Sequence, residues 1–275
     1  MSGETEEGAG APTAGMAATA SGGYTRNVNA SIVRAMLFTL IPVAAAASGA
    51  IAAAVRPPQR KLTSALQHAA AGVVFAAVAL ELIPEIRAQA PWSAIVGFTV
   101  GIAAMSGLSA VTRSLEHQSR PGRDAERGIG AKAGLIAATG IDLLIDGVVL
   151  GAGFAAAEKS GVLLTIALTL ELVLIGLSNA GALAEAGVRP VLSVATITGL
   201  GLLSTLGTGI GVAVLGGAPS AVLSGMLAFG AVALMYLVTE ELLVEAHEVP
   251  DTYWATAAFF VGFLCDLVVT ELMAP

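Results

Sequence analysis

Three carboxylates stand in the middle of apolar runs. Residues 134–149 read Gly-Leu-Ile-Ala-Ala-Thr-Gly-Ile-Asp-Leu-Leu-Ile-Asp-Gly-Val-Val, with Asp142 and Asp146 four apart. On a helix that spacing puts both on one face, about 6 Å apart along the axis. Residues 169–176, Thr-Leu-Glu-Leu-Val-Leu-Ile-Gly, carry Glu171 at the centre of the next apolar run. An Asp at the centre of a membrane helix costs roughly 2.5–3.5 kcal/mol on insertion scales, so three facing lipid would cost on the order of 10 kcal/mol. No Lys, Arg or His stands at the same depth to neutralise them. Protons or a cation must do so, and an all-oxygen ligand set suits hard or borderline divalent cations. The bland alternative is a proton-sharing carboxyl pair that only packs helices. Three acids without a basic partner are hard to explain that way.

Further groups lie toward the ends of neighbouring runs. Residues 72–86 end with Glu81 and Glu85, also on one helix face, and His68 begins the same run. Residues 237–248 read Leu-Val-Thr-Glu-Glu-Leu-Leu-Val-Glu-Ala-His-Glu. There Glu241 and Glu245 share a face while Glu240 points elsewhere. Five potential ligands in nine residues, with no Lys or Arg among them, suit cation collection; the alternative is a helix end dissolving into water. His68 and Glu85 read equally well as solvated helix ends. Asp266 is one more acid inside an apolar run, where a helix-packing hydrogen bond would also account for it. Taken in order, Glu81 at the outer end, Asp142, Asp146 and Glu171 at the centre, and Glu240, Glu241 and His68 at the inner end mark a route for cations.

These residues need elements that cross a membrane. Hydrophobic residues make up 56% of the 275, and charged residues only 12%, against about 25% in soluble domains. Mean hydropathy is +0.83. Eight apolar runs of about 20 residues, each long enough to span a bilayer, fall near 31–55, 62–86, 92–115, 132–157, 161–186, 191–215, 220–244 and 254–272. None shows the alternation of a barrel strand. The expected fold is therefore an all-α integral membrane protein, an eight-helix transmembrane bundle over residues 31–275. Residues 1–30, rich in Gly, Ala, Thr and Glu, read as a disordered tail. The polar stretch 116–131 reads as the longest loop. Abundant Ala and Gly would let the helix backbones pack closely. The one cysteine, Cys265, excludes an internal disulfide or a cysteine-cluster metal site.

Eight spans put both termini on one side. Nine basic residues (Arg56, Arg60, Lys61, Arg113, Arg120, Arg123, Arg127, Lys132 and Arg189) fall on the opposite side, and four (Arg26, Arg34, Arg87 and Lys159) on the side of the termini. The positive-inside rule then makes the termini extracellular or periplasmic and the 116–131 loop cytoplasmic, in a multi-pass protein of the plasma membrane.

At these residues the sequence resembles the ZIP (ZRT/IRT-like) family of divalent metal transporters, as a distant member of bacterial type. Residues 240–247, Glu-Glu-Leu-Leu-Val-Glu-Ala-His, are similar to the E-L-I-P-E-A-H ending of that family's seventh span, with Val244 in place of Pro. Residues 72–85 resemble its G-x-x-x-A-x-x-x-x-H-x-x-P-[DE] segment, with Glu81 where many members have His. Against H-N-x-P-E-G in the fourth span, Asp142 stands at the His, Leu143 at the Asn and Asp146 at the Glu. Against [HQ]-[DE]-x-P-E-G in the fifth, Glu171 keeps the first position, while Leu172 and Ile175 replace acids. Both motif prolines and the sixth span's acid are missing. The resemblance implies a single metal site of Asp142, Asp146 and Glu171, with the second site lost, and metal movement by alternating access of helix groups.

The expected function is a divalent metal cation transporter moving metal toward the cytoplasm, with zinc, manganese or iron as substrate. Losing the His ligand favours the harder ions. Alternatives are a proton- or sodium-coupled carrier of another substrate, using the acids as a relay, and a non-transporting, ZIP-like metal sensor. No enzyme is expected, since no Ser/His or Cys/His pair shares a depth. Expected partners are the metal and the lipid bilayer, with no nucleic acid. The Ala/Gly-rich third span offers a homodimer surface, although small residues serve internal packing as often.

Overall fold

The computed structural model describes residues 14–56, 59–88, 91–118, 125–185, 187–250 and 253–273. Among these every regular element is helical, and eight helices are long and apolar enough to cross a membrane. They are α1 (Ala14–Val55), α2 (Arg60–Arg87), α3 (Pro91–Gln118), α4 (Ala125–Ala156), α5 (Glu158–Glu185), α6 (Pro190–Leu215), α7 (Ser220–Ala246) and α8 (Tyr253–Leu272). The apolar part of α1 is Asn29–Val55. The helix starts earlier, at Ala14, inside the stretch expected as a tail; residues 1–13 lie outside the described residues. Helix also takes most of the expected 116–131 loop, because α3 runs to Gln118 and α4 starts at Ala125. Residues 119–124 lie outside the described residues, as do the side chains of Arg113, Arg127 and Lys132.

Short connections make consecutive helices antiparallel. The ends of α1, α3, α5 and α7 therefore share one face of the bundle with the starts of α2, α4, α6 and α8. We call it the four-loop face. Ala157 alone separates α4 from α5 on the other face, so Asp142 and Asp146 on α4 come level with Glu171 on α5.

Glycines set the helix spacing. Gly49 on α1 lies against the backbone of Val173 on α5, and Gly176 lies against Ala46 in return. Gly147 packs on Ser204 and Gly207 on Leu144 along the α4–α6 seam. Gly72 and Gly262 join α2 to α8 in the same way, and Gly97 meets Gly225 between α3 and α7. In lipid, where helix association gains nothing from water release, such close backbone packing is the main attraction.

The seams divide the bundle. Helices α1, α4, α5 and α6 pack broadly on one another, through the α1–α5, α4–α6 and α1–α6 contacts. α8 packs on α2, and α3 on α7, with α2 touching α7. The two groups meet along narrower seams, chiefly α2–α5, α4–α7 and α3–α4. α3 buries least, and Trp92, Ile95, Val96, Val100 and Ile102 present an apolar face outward.

Two helices are not regular. α2 makes a π turn at Val78–Leu82 and α7 another at Leu237–Leu242. In each, the next N–H reaches back five residues, Ile83 to the Val78 carbonyl and Leu243 to the Val238 carbonyl. Pro84 explains the first, because it has no N–H to offer the Leu80 carbonyl. α7 makes its π turn without any proline.

Candidate metal centre

Asp142, Asp146 and Glu171 converge between α4 and α5. One oxygen of each lies within 4.8 Å of those of the other two. Carboxylate oxygens that share a cation, at about 2.0–2.5 Å from each, lie within about 4–5 Å of one another. Glu171 is 1% exposed and Asp146 6%, while Asp142 is half-buried. Among the described residues no ion pair reaches any of the three.

Their oxygens are starved of donors. Asp146 Oδ2 and both carboxylate oxygens of Glu171 are buried without a protein donor. A buried polar group left in that state costs about 1–3 kcal/mol, and more when charged. A proton shared between Asp146 and Glu171, one oxygen of each lying within 4.8 Å of the other, would meet part of the need. A cation among all three would meet it fully.

Packing fixes these acids in place. Gly147, next to Asp146, lies against Ser204, and its carbonyl accepts a 3.0 Å hydrogen bond from the Thr208 hydroxyl. Leu143 and Leu172 are fully buried around the acids. Apolar side chains thus stand beside them.

A cavity of about 560 Å³ leads from this cluster toward the four-loop face. Asp142, Glu171, Ser178 and Asn179 line it from the first helix group, and Ser109, Glu240, Glu241 and Glu245 from the second. Glu240 was expected to point away from Glu241 and Glu245, but all three line the cavity. The π turn at 237–242 changes the helical register at that point, which a regular 3.6-residue spacing does not anticipate.

The remaining expected residues lie apart. Glu81, 6% exposed, sits in the other π turn, toward the face opposite the cavity. Its carboxylate accepts a hydrogen bond from Ser160 at 3.4 Å and lies 4.0 Å from the Lys159 ammonium, both on α5. It therefore ties the two helix groups together. Asp266 on α8 is 2% exposed, and neither of its oxygens has a hydrogen-bond partner. Sequence gave it no place on the route. His68 is not a solvated end: it is 3% exposed, because α2 passes behind the end of α7.

The chain matches no family model and no curated protein. The functional reading therefore rests on the site itself: an eight-helix protein of membrane-spanning character with a buried acidic cluster able to hold a metal.

Proposed function

We propose that this protein transports divalent metal cations across the plasma membrane, toward the cytoplasm. The observation that carries the reading is the buried Asp142–Asp146–Glu171 cluster at the head of an open cavity. An ion that sheds its water there regains oxygen ligands, and the acids gain the charge they lack. The resemblance to the ZIP family supports the same reading. With no nitrogen ligand in the cluster, the preference for zinc is weakened in favour of harder ions such as manganese and ferrous iron.

The two helix groups supply the parts for alternating access. The cluster belongs to α4 and α5, and its cavity is closed on the other side by α3 and α7. The contacts of Glu81 with Lys159 and Ser160 close the opposite face in this conformation. Sliding of one group past the other would open those contacts and expose the cluster outward. The positive-inside rule makes the four-loop face cytoplasmic, so the conformation is inward-open, with both termini outside. The outward apolar face of α3 would meet lipid or a second copy of the chain.

Uptake of Mn²⁺, Fe²⁺ and Zn²⁺ into proteoliposomes tests the proposal. Wild-type protein should show saturable uptake, and Asp146→Ala and Glu171→Ala should abolish it. Uptake that survives both substitutions would remove the central site. A wild-type protein that moves protons or sodium but no divalent metal would replace the reading with that of a coupled carrier.

A further inference from the structure

The chain has three histidines, and two of them meet. His68 on α2 and His247 just beyond α7 hold their rings 5.1 Å apart between centroids, with the planes at 63°. The sequence separates them by almost the whole bundle, so only the fold makes them a pair.

Both rings are tethered alike. His68 Nδ1 lies 2.8 Å from the carbonyl oxygen of Ser64. His247 Nδ1 bonds the carbonyl oxygen of Leu243. A carbonyl can only accept, so each Nδ1 carries a proton, and in the neutral ring the lone pair sits on Nε2. Metal-bound histidines are oriented in just this manner, with the other ring nitrogen donating to a carbonyl or carboxylate.

The separation is that of an edge-to-face ring pair and is also compatible with a shared ion. With metal–nitrogen bonds of about 2.0–2.1 Å, two imidazoles at a tetrahedral angle have centroids about 5.2 Å apart. The surroundings are acidic. Gln67 donates a 2.6 Å hydrogen bond to Glu245, and the Ser64 hydroxyl donates to the Ala246 carbonyl at 2.8 Å, which fastens α2 to the end of α7. Glu248 follows His247, and neither 64–68 nor 240–248 contains Lys or Arg. Glu245 also lines the cavity that begins at the central acids.

We propose that His68 and His247 form a second metal site between α2 and the end of α7, beside Glu245, which lines the cavity. It binds a transition-metal ion of the cobalt(II), nickel or zinc class through the two Nε2 atoms. Water completes the coordination, together with Glu245 swung away from Gln67. Imidazole favours such ions more than carboxylate does. The pair therefore has a preference that the all-oxygen centre does not have. Its role in receiving metal from the central cluster rests on the proposed transport function; its binding of metal does not.

The test uses the full-length protein with Asp146→Asn and Glu171→Gln, which silence the central cluster. Titration with Co²⁺ alone should give saturable visible absorption bands of tetrahedral, nitrogen-ligated cobalt. His247→Gln, at an exposed position, should weaken binding about tenfold or more without shifting the thermal melt of the metal-free protein. His68→Gln should do the same if it keeps a native melt. Absence of saturable binding in the silenced protein overturns the proposal, and so does binding that His247→Gln leaves unchanged. Transport can fail in proteoliposomes while this titration succeeds, and the reverse, so the two readings are separately exposed.

Discussion

The Thr208 hydroxyl on α6 donates to the Gly147 carbonyl on α4, 3.0 Å away, one residue beyond the buried carboxylate of Asp146. Gly147 also lies directly against the Ser204 backbone. The position of Asp146 is therefore set by a seam that contains no ligand.

That seam should be sensitive to a single methyl group. A Cβ on residue 147 would run into the Ser204 backbone, which cannot move aside as a flexible side chain would. Gly147→Ala should destabilise the protein by about 1–3 kcal/mol through overpacking. It should also weaken metal binding by displacing Asp146. Thermal melts in detergent and equilibrium metal titration measure the two effects. Unchanged values for both would show that the seam does not hold the site.

Removing one central acid should separate stability from binding. Asp146 and Glu171 are buried with oxygens that have no protein donor. In metal-free protein, Asp146→Asn should be neutral or stabilising, because a buried charge is lost. In wild type, metal at 100 times its Kd should add about 2.7 kcal/mol of stability, and Asp146→Asn should lose most of that gain. Melts with and without Mn²⁺ give both numbers. A substitution that lowers the metal-free melt by several degrees would make the acid a packing group.

The cavity predicts a labelling pattern. Ser178 lines it on the side of the four-loop face. With the exposed Cys265 replaced by Ser, a cysteine at 178 should react with a membrane-permeant maleimide in intact cells and resist an impermeant one. Divalent metal should slow the reaction. Efficient labelling by the impermeant reagent would invert the proposed topology.

Lys159→Met removes one of the contacts that tie Glu81 to α5. Lys159 is partly exposed but Glu81 is buried, so the loss leaves a buried carboxylate held by Ser160 alone and should cost about 1–3 kcal/mol. Its effect should appear in the conformational balance. A cysteine at Ser160 should become more reactive to impermeant maleimide in Lys159→Met than in the Lys159 protein. Equal reactivity would mean that the contact does not hold the face opposite the cavity shut.

Much of the architecture was legible before any coordinates. Long apolar runs and sparse charge point to the eight helices that, among the described residues, are long and apolar enough to cross a membrane, because a lipid-exposed backbone must satisfy its hydrogen bonds internally. Asp142 and Asp146 could be placed on one face by helical spacing alone, and Glu171 level with them by its place in the next span. The abundance of Gly and Ala announced close packing, although not which glycine meets which backbone.

Tertiary structure decided the rest. Sequence spacing assumes 3.6 residues per turn, so it sent Glu240 away from Glu241; the π turn in α7 puts both on one cavity, and no proline signals it. His68 looked like a solvated end because local sequence carries no record of α7 passing over it. Its pairing with His247 depends on contact between residues 179 positions apart, as does the link from Glu81 on α2 to Lys159 on α5. The sequence by itself determined that acids stand in the middle of long apolar helices. Only the packing of helices decided which of them share a space, because burial follows from composition and convergence follows from how the helices cross.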